Sequence, residues 1–393
     1  MQLVAYGAQD IYLTGNPQIT FFKVVYRRHT NFSMEAIEQT WNGSETSSSG
    51  RCTATISRNG DLVHRMYLEF TGAYVSAAVS NNGPAQAITD VEIEIGGQKI
   101  DKQTGHWMET WAELTEPNPS CYMGTSNVAA GALGGVQGTQ FQVMSGMGGC
   151  NGSSTDSSVA VKQFVPLQFW FCRNPGLALP LIALQYHEVK LILNHTFGAV
   201  YDGTVSNKLF CDYIYLDTDE RRRFAQVSHE YLIEQIQEQT LTISGSGTGS
   251  NDLNFNHPVK ELIWTGAWAN GVSGSLTAGS LTYKLKLNGH DRFAARDYRY
   301  FTLSQVWQHH TGPGGLSKTN ADASAAGCHA DTIAVYSFAL KPEEHQPSGT
   351  CNFSRIDNAQ LVSEGDSNAA TIFAVNYNVL RIMSGMGGLA YSN

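Results

Sequence analysis

The sequence is poor in charge and has no long apolar run. Only 15% of its 393 residues are charged. The sequence has 25 basic and 34 acidic residues, which gives a formal charge of −9. Nucleic-acid binding as a main task needs dense Lys and Arg, so this balance argues against it. The apolar stretch 176–184 is far shorter than the roughly 20 residues of a membrane-spanning helix.

Cysteine is sparse and scattered. The seven cysteines contain no C-x-x-C pair and form no dense framework. This usage favours reduced thiols and folding in the cytosol. The amino terminus, MQLVAYGAQD, lacks the basic and apolar regions of a secretory signal. We therefore expect a chain that stays outside the secretory pathway.

Motifs for common chemistry are also missing. The sequence has no phosphate-binding G-x-x-x-x-G-K-[ST] loop and no G-x-S-x-G elbow. His309-His310, Cys328-His329, His345 and Cys351 lack the short paired spacing of a zinc site. We predict no catalytic residue, no cofactor and no metal, and hence a protein that is not an enzyme.

One acidic cluster allows two interpretations. Asp217, Asp219 and Glu220 could supply a carboxylate pair of the kind that glycosidases use. Because Arg221–Arg223 follow directly, the interleaved charges favour a salt-bridged linker that fixes two domains or adjacent subunits.

What the sequence has in abundance is glycine, with 39 residues, and alternating strand patterns. In VEIEIGGQKI (91–100) and YKLKLNGHDR (283–292), apolar and charged residues alternate and then meet Gly-Gly or Asn-Gly. Alternation with period two predicts a strand with one buried face, and these dipeptides predict a tight hairpin turn. Both stretches are therefore expected to be β-hairpins.

The two hairpins belong to a pattern that runs through the chain twice. AIEQTW (36–41) resembles LIEQIQ (232–237), and Ile37 and Ile233, like Gly97 and Gly289, are about 190 to 200 residues apart. Later matches, between Phe169 and Phe338 and between EVKLIL and NAQLVS, are about 170 residues apart. A longer Gly/Ser-rich loop in the first half explains the shift.

These observations predict an all-β chain of two tandem eight-stranded jelly-roll sandwiches with short helices in the connections. The predicted division is an arm (1–25), a first jelly roll (26–216) with a long loop (124–158), a charged linker (217–226) and a second jelly roll (227–393). The clearest predicted strands are 65–70, 168–171, 187–193, 208–216 and 371–382, and short helices are predicted at 104–114, 176–185 and 297–310.

The tryptophans also allow two interpretations. Sugar-binding platforms are one role for aromatic side chains, and packing in a core or a subunit interface is the other. Most of these residues lie beside apolar strand or helix patterns, which favours packing. The residues concerned are Trp107, Trp111, Trp170, Trp264, Trp268 and Trp307.

Four long blocks of the sequence resemble the major capsid proteins of nucleocytoplasmic large DNA viruses, the group that includes chlorella viruses and iridoviruses. They are QLVAYGAQDIYLTGNPQITFFKVVYRRHTNF (2–32), LPLIALQYHEVKL (179–191), YIYLDTDERRRFAQVSHEYLIEQIQ (213–237) and FALKPEEHQPSGTCNFSRIDNAQL (338–361). The resemblance covers almost the whole chain.

The resemblance implies a double jelly roll that forms a homotrimer, a pseudo-hexagonal capsomer tiling an icosahedral shell assembled in the host cytoplasm. It places Lys23, Arg27, Arg28 and His29 at the capsomer base, facing minor capsid proteins or an inner viral membrane. A solvated strand edge is the alternative for these residues. The loops 124–158 and 309–331 would point outward, where contact with a host glycan or receptor is possible.

Two other functions remain open from the sequence. One is a minor capsid protein of the same shell, and the other is a two-domain carbohydrate-binding β-sandwich protein. A stable trimer would favour the shell protein, whereas glycan binding by a single chain would favour the carbohydrate-binding protein.

Overall fold

The computed structural model describes residues 29–75, 82–117, 139–149, 160–242, 247–315 and 331–391, with the isolated positions 8, 22 and 24.

The first half of the chain is a series of antiparallel strands. They are β1 (Phe32–Gln39), β2 (Trp41–Gly43), β3 (Gly50–Thr55), β4 (Leu62–Tyr74), β5 (Ile88–Ile95), β6 (Gln98–Thr104), β7 (Ala160–Pro166), β8 (Leu179–Pro180), β9 (Val189–His195) and β10 (Tyr201–Leu216).

The second half continues in the same way. Its strands are β11 (His229–Thr240), β12 (Thr248–Asp252), β13 (Pro258–Gly266), β14 (Trp268–Ala269), β15 (Val272–Ser273), β16 (Thr277–Leu287), β17 (His290–Asp291), β18 (Arg296–Asp297), β19 (Ile333–Ser337), β20 (Cys351–Asn352), β21 (Ala359–Ser367), β22 (Ala369–Met383) and β23 (Met386–Leu389).

Helices are short and lie in the connections. They are α1 (Gly83–Ala87), α2 (Gly105–Thr115), α3 (Gln140–Ser145), α4 (Trp170–Arg173), α5 (Thr218–Gln226) and α6 (Gln305–His309), with a π-helical turn (Tyr300–Ser304) leading into α6 and 3₁₀ turns at Pro175–Leu177, Phe197–Ala199 and Phe353–Arg355. In the described part of the chain, no helix has the length and apolar character needed to cross a membrane.

The strands form two sandwiches with the same strand order. Sheet I runs β1-β10-β4-β7 and sheet II runs β2-β3-β9-β5-β6, while sheet III runs β11-β22-β13-β19 and sheet IV runs β12-β21-β16-β17. Strands β8, β18, β20 and β23 add to these sheets, and β14 pairs with β15. When the three-residue edge strand β2 is set aside, each half has eight main strands, and both sandwiches read 1-8-3-6 and 2-7-4-5. This is the predicted double jelly roll.

Each sandwich has an apolar core between its two sheets. In the first, Leu68 and Phe70 of sheet I face Val91 and Leu191 of sheet II. In the second, Trp264 of sheet III packs edge-on against Tyr283 of sheet IV, with 5.3 Å between the ring centroids. Period-two alternation puts these side chains inward and leaves the other face of each sheet outward.

Both predicted hairpins are present. Gly96 and Gly97 connect β5 to β6 with φ of +60° and +83°, and Asn288 and Gly289 connect β16 to β17 with φ of +51° and +78°. Two successive positive φ values define the turn that suits the strand twist, and Gly and Asn reach them at least cost. The matched segments also lie on equivalent strands, Ile37 on β1 and Ile233 on β11.

Two local predictions were wrong. Residues 168–171 do not form a strand, because Trp170 begins the helical turn α4. Residues 176–185 do not form a helix, since a 3₁₀ turn ends at Leu177 and β8 follows. Pro180 explains the second error, because proline disfavours helical backbone at the residue before it and has no N–H to donate.

The segments predicted as loop and linker contain helix. Within 124–158 the structure describes 139–149, where Thr139 and Gln142 form a capping box that begins α3. Within 309–331 it describes 309–315 and 331. The charged segment 217–226 is largely α5, and Asp217 caps it by accepting the Thr218 N–H at 2.8 Å. The helices 104–114 and 297–310 are confirmed by α2 and by α6 with its π-helical turn.

Candidate assembly site between the two sandwiches

Helix α2 leaves the first sandwich and covers the outer face of sheet III in the second. Thr104 caps the helix, accepting the Trp107 N–H at 3.2 Å. Trp107 and Trp111 are one turn apart, so both indoles point the same way, with ring centroids 5.3 Å apart. They pack with Ile263 and Phe373 of sheet III. The apolar helix side thus joins the two sandwiches.

A buried ion cluster lies beside this helix. Arg173 of the first sandwich places Nη2 2.8 Å from Oε2 of Glu234, and Lys260 places Nζ 2.8 Å from Oε1 of the same carboxylate. The Lys260 side chain is 0% exposed. The Arg173 guanidinium also lies 5.0 Å from the Trp111 ring centroid. One carboxylate therefore holds cations from both sandwiches.

The electrostatics of this cluster favour the charged carboxylate. Burial by itself raises the pKa of Glu234, but the charges of Arg173 and Lys260 outweigh it and lower the pKa to about 2. Leaving either cation without this carboxylate would strand a charge in a poorly solvated place. The cluster is therefore a positional constraint between the sandwiches.

His310 forms a second polar clamp. Its Nε2 lies 3.0 Å from Oε2 of Glu261 and its Nδ1 lies 3.1 Å from Oε1 of Glu343, and its side chain is fully buried. Burial lowers the pKa of His310, but Glu261 and Glu343 outweigh burial and raise it to about 9. The imidazole is therefore a buried cation between two carboxylates at neutral pH.

The residues after His310 hold the end of α2. Thr311 Oγ1 donates to the Thr115 carbonyl at 2.9 Å, and the Gly312 N–H donates to the Leu114 carbonyl at 2.7 Å. Free carbonyls at a helix end need such donors. The clamp on His310 therefore fixes the loop that caps the joining helix.

Two further contacts complete the joint. On one side, the Ile236 N–H of β11 donates to Oδ1 of Asp101 at 3.2 Å, and complete burial raises the pKa of Asp101 to about 7. On another side, the β22–β23 hairpin reaches back, and the Tyr186 N–H donates to the Gly385 carbonyl at 3.0 Å. Leu380 and Ile382 pack into the first core.

The basic residues that were predicted at the capsomer base lie mostly outside the described part of the chain. Lys23, Arg27 and Arg28 lie outside the described residues, while His29 is exposed, with Nδ1 2.7 Å from the Thr30 carbonyl oxygen. Among the described residues no group of three or more His, Cys, Asp or Glu side chains could hold a metal.

The acidic cluster serves the linker helix. Asp217 caps α5, and Arg221 Nε lies 2.9 Å from Oδ1 of buried Asp61. Asp219 is exposed in the first turn, where a negative charge suits the helix dipole. These positions match a salt-bridged linker.

Most of the predicted aromatic residues are packed inside. Trp107, Trp111, Trp170 and Trp264 are buried. Trp268 is half-buried and stacks on His106 with 4.6 Å between ring centroids. Trp307 is different, with 81% of its surface exposed.

The buried ions were missed by the sequence analysis. Glu234 on β11 and Lys260 on β13 were not singled out from the sequence. Alternation identifies the outer face of a sheet but cannot show that another element covers it. Helices α3 and α5, which lie in segments predicted as loop and linker, did have a sequence signal. Each begins with a capping residue, followed by Gln in α3 and by acidic residues in the first turn of α5.

Two sandwiches of identical main-strand order, joined by a buried helix and buried ions, define a double jelly-roll protein. The comparisons with known proteins agree. Residues 20–217 match the family described as major capsid protein N-terminus, and residues 220–270 and 277–388 match the large eukaryotic DNA virus major capsid protein family.

Relatives and solved structures give the same assignment. The chain is 53% identical to the major capsid protein of Pyramimonas orientalis virus, over 100% of this chain and 99% of that one. It is 41% identical to that of Paramecium bursaria Chlorella virus 1, over 100% and 99%. A subunit of the PBCV-1 virus capsid quasi-atomic model superposes with a TM-score of 0.77 at 35% identity, covering 95% of this chain and 100% of that one.

The chain belongs to the major capsid proteins of large eukaryotic DNA viruses. It is a structural component of the virion, and its partner is itself, since these proteins assemble into the capsid shell.

Proposed function

We propose that three copies of this chain form a pseudo-hexagonal capsomer that tiles an icosahedral shell. The repeated 1-8-3-6 and 2-7-4-5 strand order supports this, because three copies of two like sandwiches present six similar sides. A three-fold ring of that kind fits a hexagonal lattice without six-fold symmetry. We place the boundary between the sandwiches at the charged segment 217–226, and this placement is supported by one family match that ends at residue 217 and another that begins at residue 220.

The resemblance to the family supports the remaining partners. The amino-terminal arm, with Lys23, Arg27, Arg28 and His29, faces the shell interior and contacts minor capsid proteins or an inner membrane. The loops 124–158 and 309–331 face outward and are the place for host glycan or receptor contact. Neighbouring capsomers meet along the sandwich sides, and assembly takes place in the host cytoplasm. No catalytic step belongs to this function.

Size-exclusion chromatography with light scattering tests the proposal. The chain has a mass of 42.8 kDa, and the expected result is one stable species of three chains across a wide concentration range. A single chain or a dimer at capsid-like concentrations would overturn the trimer. Binding of glycans by a single chain would favour the carbohydrate-binding alternative instead.

A further inference from the structure

The outer faces of sheets I and III are equivalent by strand order, and only sheet III has a described helix lying across it from the other sandwich. That helix is α2, which places Trp107 and Trp111 on Ile263 and Phe373. This contact shows how the first sandwich of a chain packs against the second sandwich of the same chain. A ring of such contacts needs a second helix of the same kind and a second receiving face.

The second helix is the π-helical turn with α6. It follows the β16–β17 hairpin, with the short strand β18 between them, and α2 follows the β5–β6 hairpin directly. Leu303 and Trp307 lie about 196 residues after Trp107 and Trp111, close to the spacing of the repeat. Leu303 is 44% exposed and Trp307 is 81% exposed. Trp107 and Trp111 are therefore buried on α2, whereas the equivalent residues of the second helix, Leu303 and Trp307, are exposed to solvent.

The rest of this helix faces its own sandwich. Phe301 is fully buried and lies in the core of the second sandwich. Val306 is buried and packs with the residues around α2. The exposure of Leu303 and Trp307 is therefore confined to one side of a well-packed helix, which distinguishes it from a loosely held segment.

The second receiving face is the outer side of sheet I. Tyr67 stacks on Phe210 with ring centroids 5.3 Å apart and an interplanar angle of 9°, and Phe164 lies 6.3 Å from Tyr67. All three rings are half-buried. They form an aromatic row across β7, β4 and β10, the strands equivalent to β19, β13 and β22 of sheet III.

A hollow of about 430 Å³ opens beside this row. Its walls include Tyr67, Phe164, Met144 and Glu116. On sheet I, the hollow lies beside the end of α2, because Glu116 directly follows that helix. On sheet III, the equivalent position lies beside the end of α6 and is occupied by Trp111, whose ring lies edge-on to His310 with 6.3 Å between ring centroids. The hollow is therefore the equivalent of the site that Trp111 occupies, and it has room for an indole ring.

The geometry points to a contact between two copies of this chain in which Trp307 of one copy enters the hollow beside Tyr67 and Phe164 of the next, with Leu303 against the aromatic row. It repeats between chains the joint that α2 makes within one chain. Each copy gives a helix on one side and receives one on the other, so three copies close a ring. This inference rests on the trimer proposed above and names its interface.

The test uses the full chain with two surface variants, Trp307→Ser and Phe164→Lys, and Tyr186→Ser as a control. Tyr186 is also an exposed aromatic residue, at 76%, but lies outside both surfaces. Light scattering should give one chain of 42.8 kDa for each of the first two variants and a trimer for the control. The circular dichroism spectrum of each variant must match that of the wild type, and each variant must still unfold in one cooperative transition, which excludes misfolding as the cause.

Mixing the two variants gives the sharper result. Trp307→Ser keeps an intact hollow and Phe164→Lys keeps an intact Trp307, so an equimolar mixture has one working contact for each pair of chains. We expect a dimer of one copy of each variant and no closed trimer. An interface that pairs identical patches, or a defect inside each chain, would give no dimer in the mixture.

Each failure has a separate meaning. If the wild type is not a trimer, the proposed capsomer fails. If the wild type is a trimer and both variants are also trimers, only this interface is wrong. If Phe164→Lys stays trimeric but unfolds at a lower temperature than the wild-type trimer, a segment of the same chain fills the hollow, and the interface is again wrong.

Discussion

Arg173 and Glu234 form an ion pair, with 2.8 Å between Nη2 and Oε2, that joins the first sandwich to the second. Lys260, fully buried, shares the same carboxylate at 2.8 Å. A buried charge costs free energy unless it is paired, so this arrangement favours one relative position of the sandwiches over others. In the proposed capsomer, that position sets the angle between the two sides that meet neighbours.

Replacing Glu234 by Gln should destabilise the chain strongly. The exchange keeps the shape of the side chain but leaves Arg173 and Lys260 without a counter-charge, which costs about 3–5 kcal/mol. Urea unfolding of the purified protein measures the change. Glu230→Gln is the matched control, because the Glu230–Arg381 pair is on the neighbouring part of β11 and more than half exposed, and its loss should stay under about 1 kcal/mol. Equal losses would show that the cluster is no constraint.

The same carboxylate predicts acid sensitivity. Its folded pKa of about 2 lies below the ordinary value of 4.5, so its stabilisation is present above pH 4.5 and is lost as the pH falls through 2. The loss amounts to about 3 kcal/mol. Urea unfolding at a series of pH values should show a fall that is flatter in Glu234→Gln. Parallel curves for the two proteins would contradict the assignment.

His310 predicts the opposite dependence at high pH. Its folded pKa of about 9 lies above the ordinary 6.5, so its stabilisation is complete below pH 6.5 and is lost as the pH rises through 9. The fall amounts to about 3 kcal/mol. Thermal unfolding between pH 6 and about 9.5 should show this fall in the wild type and lack it in His310→Gln. In His309→Gln the fall should remain, and its disappearance there would refute the role of His310.

The tryptophan of the intrachain joint predicts a large cavity effect. Trp111→Ala should cost about 3–5 kcal/mol, because the indole is buried between α2 and sheet III. Trp307→Ala is the matched comparison at the equivalent position. In chains kept single by Phe164→Lys, we expect it to change the free energy of unfolding by less than about 0.5 kcal/mol. Similar costs at both sites would mean that Trp307 is already packed within one chain.

Much of the fold was predictable because alternation and turn residues act locally. Gly96-Gly97 and Asn288-Gly289 mark hairpins at equivalent places, and Ile37 and Ile233 mark equivalent first strands. The similar number of residues between the members of each pair indicates that the fold unit is duplicated. Errors arose where an apolar run had no period, as at 168–171, since such a run fits a buried helical turn as well as a strand.

The joint between the sandwiches was beyond the sequence. Lys260 is fully buried, and nothing in its local sequence indicates this burial. Glu234 and Arg173 are far apart in the chain, and no local pattern pairs them. Trp307 was counted with the packing tryptophans, and its exposure emerges only when α6 is compared with α2.

The central claim, that three copies of a doubled sandwich form one ring, is tested most directly by counting the sandwiches in one assembled particle and determining their symmetry. Electron microscopy of the purified protein should show particles of hexagonal outline with six similar lobes and three-fold symmetry. Class averages with two-fold symmetry, or with six lobes that are all identical under six-fold averaging, would contradict a ring built from three copies of a doubled sandwich.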